Sequence, residues 1–284
     1  MKKYIEMGQT VFELSRSLIS PVYYEQDLAE SEKPSKKTVL RNNADRVVQP
    51  EELIIVSWNI LRNYSAMKIR KSLSSILQEY HPHFLLIQEA PVYPNHVFWD
   101  EPLFDDFNVY YAPLHQVRKN SSFYPFEHSG QLTLSRFPLS NTAVYELPTV
   151  TRPVLSKDHL IQRLALYTQV TLKDNQTLGI YNLHLENATG YNGRKRQLEH
   201  LLKIIDHAQD DIVVLGGDFN TIFGSYLEQG INQLEQQGFE NVFSSERRFT
   251  PRLDYFFIKG AVATGLQLKG KGSDHQPIMA KIRI

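Results

Sequence analysis

The stretch Ile212-Val213-Val214-Leu215-Gly216-Gly217-Asp218-Phe219-Asn220 decides how this chain is read. Its four leading apolar residues, three of them β-branched, describe a buried strand. The two glycines are expected to let the backbone turn tightly and to leave room for a ligand. Asp218 and Asn220 follow at the strand end, where α/β proteins gather their ligands. On this stretch alone two readings stay open. Either the strand delivers an acid and an amide to a site, or a common polar turn closes a core strand, since turns favour the same residue types.

Outward from it, apolar runs and helical faces alternate. Leu53-Ile54-Ile55-Val56-Ser57 reads as a strand, and Ile69, Leu73, Ile76 and Leu77 mark one face of a helix that His81-Pro82 ends. Phe84-Leu85-Leu86-Ile87 is a second buried strand, with further strands expected at residues 131–135, 143–147, 164–170, 178–185, 255–258 and 278–284. Leu198, Leu201, Leu202 and Ile205 define a helix, and another is expected over residues 226–237. The middle of the chain holds successive strands with no helix between them, which predicts a layered α/β protein with two sheets. The first fifty residues differ. Residues 4–24 contain a candidate amphipathic helix ended by Pro21, and residues 31–45 are polar enough to be a mobile linker. The expected division is an extension over residues 1–50 and one large domain over residues 51–284.

Composition excludes more than it names. A chain of 284 residues with 42% hydrophobic content can bury one large core. No cysteine is present, which removes disulfides, a thiol nucleophile and thiolate-bound zinc. Thirty-one basic and 31 acidic residues balance, so no global field gathers polyanions. Glu6 and Glu13 interrupt what would be the apolar part of a signal peptide, and no apolar run is long enough to span a bilayer. A cytoplasmic monomer is therefore expected.

The chemistry emerges when strand ends are taken together. Asn59 ends the first strand and Gln88-Glu89 the second. Asn182, His184 and Glu186 share one face by alternation. Asp218 and Asn220 close the decisive strand, Asp254 precedes one apolar run and Asp274-His275 another. Oxygen ligands without cysteine favour a hard cation such as Mg²⁺. Two histidines supply donors for the charge that builds on a phosphoryl group, and Asp218 can orient or deprotonate water. Phosphate-ester hydrolysis needs all three. Each residue also has a structural alternative as a cap or a satisfied core group.

In this order the segments resemble the endonuclease/exonuclease/phosphatase superfamily of DNase I-like metal-dependent phosphoesterases. The matching pieces are Ser57-Trp58-Asn59-Ile60, Leu86-Ile87-Gln88-Glu89-Ala90, Asn182-Leu183-His184-Leu185-Glu186, Gly216-Gly217-Asp218-Phe219-Asn220, Leu253-Asp254-Tyr255 and Ser273-Asp274-His275-Gln276-Pro277. The resemblance implies a four-layer α/β sandwich, two packed mixed sheets flanked by helices, with residues 51–284 as the catalytic domain. It implies that Glu89 holds Mg²⁺ or Mn²⁺, with Asn59 beside it and Asp274 in or next to the metal's shell. Asp218 then activates the attacking water, and Asn220 positions water and phosphate. His184 and His275 donate to phosphate oxygens, and Asp254 orients His275.

Departures from individual branches concern the substrate. Leu61 stands where some members carry an acid, His184 where AP endonucleases usually show tyrosine, and Arg252-Leu253-Asp254-Tyr255 where inositol phosphatases show Trp-Cys-Asp-Arg. The leading expectation is a phosphodiesterase or nuclease acting on nucleic acid or a nucleotide-like substrate. The alternative is a phosphohydrolase of lipid headgroups or small phosphorylated molecules, sphingomyelinase- or inositol-phosphatase-like, which the neutral net charge favours over a nonspecific nuclease. An inactive binding module is the third. Arg118 and Lys119 with Phe123, Tyr124 and Phe126 could stack a base and neutralise phosphate, or anchor a long loop. Arg247, Arg248 and Arg252 could lend positive potential to a cleft, or merely be solvated.

Overall fold

The structure is a computed structural model, described here for residues 39–41, 50–60, 65–93, 96–116, 128–148, 163–186, 191–221, 229–243 and 253–284. The strands are β1 (Val39–Arg41), β2 (Glu52–Asn59), β3 (Phe84–Tyr93), β4 (His96–Val97), β5 (Asn108–Gln116), β6 (His128–Ser135), β7 (Asn141–Glu146), β8 (Leu164–Thr171), β9 (Thr177–His184), β10 (Ile212–Asp218), β11 (Glu240–Asn241), β12 (Asp254–Lys259), β13 (Val262–Gln267) and β14 (Ile278–Arg283). The helices are α1 (Ala66–Tyr80), α2 (Tyr191–Ala208) and α3 (Gln229–Gln236). One sheet runs β1-β5-β6-β3-β2-β14-β13, with β4 on β3. The other runs β11-β12-β10-β9-β8-β7. Both are mixed: β2 and β3 are parallel, as are β9 and β10, among antiparallel neighbours.

Alternation along each strand separates the layers. On β2, Leu53 and Ile55 face the second sheet and pack with Ile180, Val214 and Phe256. Val56 and Trp58 face the other way, onto Ile69, Leu73 and Ile76 of α1. On the far side, Tyr181, Leu215 and Phe257 receive Leu198, Leu201 and Ile205 of α2. Helix, sheet, sheet and helix give the expected four-layer sandwich. Helix α1 stops where the sequence said it would: His81 takes the left-handed conformation (φ 47) with its N–H on Leu77 O, and Pro82 follows. Among the described residues no helix is long and apolar enough to cross a membrane.

Four details differ from the sequence reading. Strand β10 does not turn at its glycines but continues through them to Asp218. Their role is close packing. A Cβ on Gly216 would lie 2.4 Å from the Phe256 ring, and one on Gly217, whose φ is +145, would lie 1.9 Å from Leu183 O. Val39–Arg41 pairs with β5 inside the stretch expected to be a linker, whereas the candidate helix over residues 4–24 lies outside the described residues. Strand β5 was not anticipated because Pro113 interrupts its pattern, and that proline sits where the register against β6 breaks. Strand β13 escaped notice because it is a solvent-facing edge strand of alternating small and exposed residues.

Polar contacts also bind the two sheets through the core. Asn182, on β9, is fully buried. Its Oδ1 accepts from Gln88 Nε2 at 2.8 Å, its Nδ2 donates to Leu132 O at 3.0 Å, and its backbone carbonyl accepts from Gln131 Nε2 at 2.9 Å. Asn182→Leu keeps the branched outline in a somewhat larger side chain but strips Gln88 of one acceptor and Leu132 O of a side-chain donor. It should lower the unfolding free energy by about 2 kcal/mol, read as a shift in urea midpoint at unchanged m-value.

Candidate active site

Strand register delivers the chemistry to one end of the sandwich. In the second sheet Asp218 lies opposite His184 of β9 on one side and opposite Asp254 of β12 on the other. In the first, Asn59 pairs with Gln88, and β14 runs antiparallel to β2 from the Ile278–Ser57 pair. The loop preceding β14 therefore returns beside Asn59 and brings His275 with it. Three ties hold that loop. Trp58 Nε1 donates to His275 O at 3.0 Å, Ser273 Oγ donates to Asn59 O at 2.7 Å, and the same hydroxyl accepts from His275 N at 3.1 Å.

Asp218 is the centre, only 1% exposed. Asn59 Nδ2 donates to its Oδ2 at 2.9 Å, and the Asn220 backbone N–H donates to its Oδ1 at 2.9 Å. His184 Nε2 and His275 Nε2 stand 3.5 and 3.7 Å from Oδ2. His275 Nδ1 lies 2.8 Å from Asp254 Oδ2, the orienting contact that the resemblance implied. Asn220 takes the left-handed conformation (φ 53) and donates its Nδ2 to Leu185 O at 2.8 Å.

The electrostatics follow from burial and pairing. Burial pushes the Asp218 carboxyl up to about 6, with the nearby Asp254 charge adding to it. The His275 charge and the donors Asn59 and Asn220 act in the opposite sense. For His275, burial alone would lower the pKa. The charges of Asp218 and Asp254, the hydrogen bond to Asp254 and the Asp274 charge outweigh it and raise the imidazole to about 10. His275 therefore carries its proton at neutral pH while Asp218 is the carboxylate of the pair.

Asp218, Asp254 and His275 also have ligand atoms within 4.8 Å of one another, close enough to chelate a cation. His275 Nδ1 is engaged by Asp254 and its pKa is raised, so a cation bound here would have to displace the imidazole proton. The residues expected to hold a metal lie beside this cluster. Glu89 is one residue past the Gln88–Asn59 pair, in a left-handed conformation (φ 56) within the β3–β6 register break. The Asp274 side chain is 59% exposed, with Oδ1 4.0 Å from His275 Nε2. Asn59 commits Nδ2 to Asp218, and its amide oxygen is the atom that could serve a cation. Glu89, Asn59 and Asp274 are all oxygen donors, which suits a hard cation such as Mg²⁺.

The structure thus ties Asn59, His184, Asp218, Asn220, Asp254 and His275 into one constellation by direct contact. Sequence reasoning passed over Ser273 and the Trp58 indole. A hydroxyl two residues before a histidine is a recognisable turn signal, whereas nothing local marks Trp58 as a partner of His275 O. It also missed the buried Arg163, 3.8 Å from Glu186 Oε2, and the bond that the Glu186 N–H donates to Gln197 Oε1. Arg118, Lys119, Phe123, Tyr124, Phe126, Arg247, Arg248 and Arg252 lie outside the described residues.

The sequence profile of the Endonuclease/Exonuclease/phosphatase family matches residues 56–275. A UPF0294 protein of Vibrio cholerae is 27% identical over 246 residues, covering 82% of this chain and 78% of the relative. Among solved structures, an endonuclease/exonuclease/phosphatase from Beutenbergia cavernae superposes with a TM-score of 0.62 at 16% identity, over 82% of this chain and 72% of that one. The human Nocturnin catalytic domain with bound sulfate anion does so with a TM-score of 0.60 at 18% identity, over 88% and 98% of the two chains.

The raised pKa of His275 has a thermodynamic sign. Its contribution to stability is complete below the unfolded-state value of about 6.5 and is lost as pH climbs through about 10. In the metal-free protein, ¹⁵N spectra should show His275 as an imidazolium up to about pH 8, and Asp254→Asn should move its titration downward. A neutral ring at pH 7 contradicts the assignment.

Proposed function

The chain belongs to the endonuclease/exonuclease/phosphatase family, and from that membership we propose that it is a divalent-metal-dependent hydrolase of phosphate esters, a phosphodiesterase acting on nucleic acid or a nucleotide-like substrate. The observation that carries this reading is the buried Asp218 carboxylate, held by Asn59 and flanked by His184 and by a protonated His275. A carboxylate whose pKa is raised to about 6 is ionised at neutral pH yet basic enough to take a proton from water.

In the proposed reaction Asp218 accepts a proton from water as the water oxygen bonds to phosphorus. The ester P–O bond breaks on the opposite side. Asn220 offers its amide oxygen to the second water proton, which fixes the line of attack. His275 and His184 donate hydrogen bonds to non-bridging oxygens as negative charge accumulates on them. Asp254 keeps His275 protonated and correctly turned. Glu89, with Asn59 and Asp274, would hold Mg²⁺ or Mn²⁺, whose chemistry here is to neutralise charge on the phosphate and the departing oxygen.

The balanced net charge favours a second reading, hydrolysis of lipid headgroups or small phosphorylated molecules rather than a polymer. Purified protein with Mn²⁺ or Mg²⁺ should be assayed against plasmid DNA, RNA, sphingomyelin, inositol phosphates and bis(p-nitrophenyl) phosphate. Turnover confined to the lipid or inositol substrates selects the second reading, and metal-dependent cleavage of DNA or RNA selects the first.

Two variants test the roles. Asp218→Asn should cut kcat by roughly 10³-fold or more while circular dichroism and urea unfolding still report a folded protein. Near-normal activity sinks the assignment. Glu89→Gln should weaken Mn²⁺ binding about tenfold or more in calorimetric titration, with the His275 imidazolium signal retained.

A further inference from the structure

The Asn220 amide has two orientations that differ in what they offer a water molecule: Nδ2 as donor or Oδ1 as acceptor. Its observed orientation is set by the carbonyl of Leu185, which accepts from Nδ2 at 2.8 Å. That carbonyl belongs to the same planar trans peptide group as the N–H of Glu186, and the two point in opposite directions. The N–H end is held by Gln197, a fully buried residue on α2, whose Oε1 accepts from Glu186 N at 2.9 Å.

The orientation of Gln197 is itself fixed, since its Nε2 donates to Pro148 O at 3.0 Å. Arg194, one turn earlier on α2 and equally buried, donates from Nη1 to Glu186 O at 3.2 Å and secures the next peptide. At the other end, the Asn220 N–H donates to Asp218 Oδ1 and the Leu185 N–H donates to Asp218 O, both at 2.9 Å.

We propose that Gln197 is a positioning residue for hydrolysis: through the Leu185–Glu186 peptide plane it fixes the Asn220 amide so that Oδ1 is presented as an acceptor beside the Asp218 carboxylate. The polarity runs unbroken. Pro148 O accepts from Gln197, Gln197 accepts from the Glu186 N–H, and Leu185 O accepts from Asn220. Every link has one allowed direction, because a carbonyl cannot donate and a peptide N–H cannot accept. Reversing Asn220 would set its Oδ1 against Leu185 O, two acceptors face to face. The alternative, that Gln197 merely ties α2 to the sheet, predicts a stability effect with no change at Asn220.

The relay rests on the hydrolytic reading for its purpose but not for its geometry, so two readouts are taken on Gln197→Leu, Gln197→Glu, Asn220→Ala and the Gln197→Leu/Asn220→Ala double variant. In the metal-free protein, ¹H–¹⁵N spectra should show the Asn220 side-chain NH₂ pair displaced in Gln197→Leu. In Gln197→Glu, which keeps an oxygen for the Glu186 N–H, the pair should return toward the wild-type position. With Mn²⁺ and bis(p-nitrophenyl) phosphate, Gln197→Leu should lower kcat about tenfold to hundredfold with KM within about twofold. Gln197→Glu should regain part of that loss, and the double variant should be no slower than Asn220→Ala alone. An unmoved Asn220 NH₂ pair in Gln197→Leu, or losses that multiply in the double variant, overturns the relay. If the wild-type protein hydrolyses no phosphate ester, the hydrolytic reading fails, while the NH₂ displacement still decides whether Gln197 orients Asn220.

Discussion

Burying a carboxylate is the constraint around which the rest is arranged. Asp218 is almost wholly withdrawn from solvent, where an unpartnered charge would cost several kcal/mol. Its surroundings answer that cost from several directions: an amide from the first sheet, an imidazolium from the loop before the last strand, and a backbone N–H from the residue two positions on. The backbone N–H is local, but the histidine and carboxylate that flank Asp218 across the second sheet are placed by strand register. The parallel β9–β10 pair sets His184 opposite Asp218, and the antiparallel β10–β12 pair does the same for Asp254. A slip of one residue in either ladder would turn these side chains to the opposite face.

The site therefore depends on two sheets staying in fixed relation. Apolar packing between them is non-directional and would tolerate sliding. Asn182 makes the relation specific, since its hydrogen bonds to Gln88 and Leu132 are satisfied in one alignment only. Gln88 precedes Glu89, and Asn182 precedes His184 by two residues, so the same contacts that align the sheets set the span between the residues that each sheet brings to the site. The left-handed backbone at Glu89 and Asn220 has a related origin. Both are non-glycine residues, Glu89 at the register break inside β3 and Asn220 just past the end of β10, in conformations that cost energy and persist where surrounding bonds demand them.

What the sequence disclosed and what it withheld divide along physical lines. The apolar runs Ile212–Leu215 and Phe84–Ile87 announce themselves because both faces are apolar, though β10 and β3 run on past them to Asp218 and Tyr93; α1 does so because its apolar stripe is regular and its end is marked by His81-Pro82. Side chains at strand ends were legible as a set, since polar residues recur where apolar runs stop. The role of the glycines in β10 was not legible. Gly216 and Gly217 make room for Phe256 and for the Leu183 backbone, neighbours that only the fold supplies. Strand β5 was hidden by a proline that a bulge accommodates, and β13 by its exposure. Ser273 and Gln197 share the same obstacle, for their partners lie far away in sequence or on another element.

The position of β14 carries a consequence for how the molecule comes into being. This strand lies between β2 and β13, and the residue that precedes it by three, His275, is bonded to Trp58 across 217 positions of chain. During synthesis the first sheet has a gap beside β2, with Leu53 and Ile55 lacking their partners Ile282 and Ala280, until residue 283 has left the ribosome. A chain that stops short of residue 275 lacks both β14 beside β2 and the His275 imidazole. Joining β14 to β2 is thus a long-range closure of high entropic cost, and a chain that has not made it exposes an unpaired strand edge.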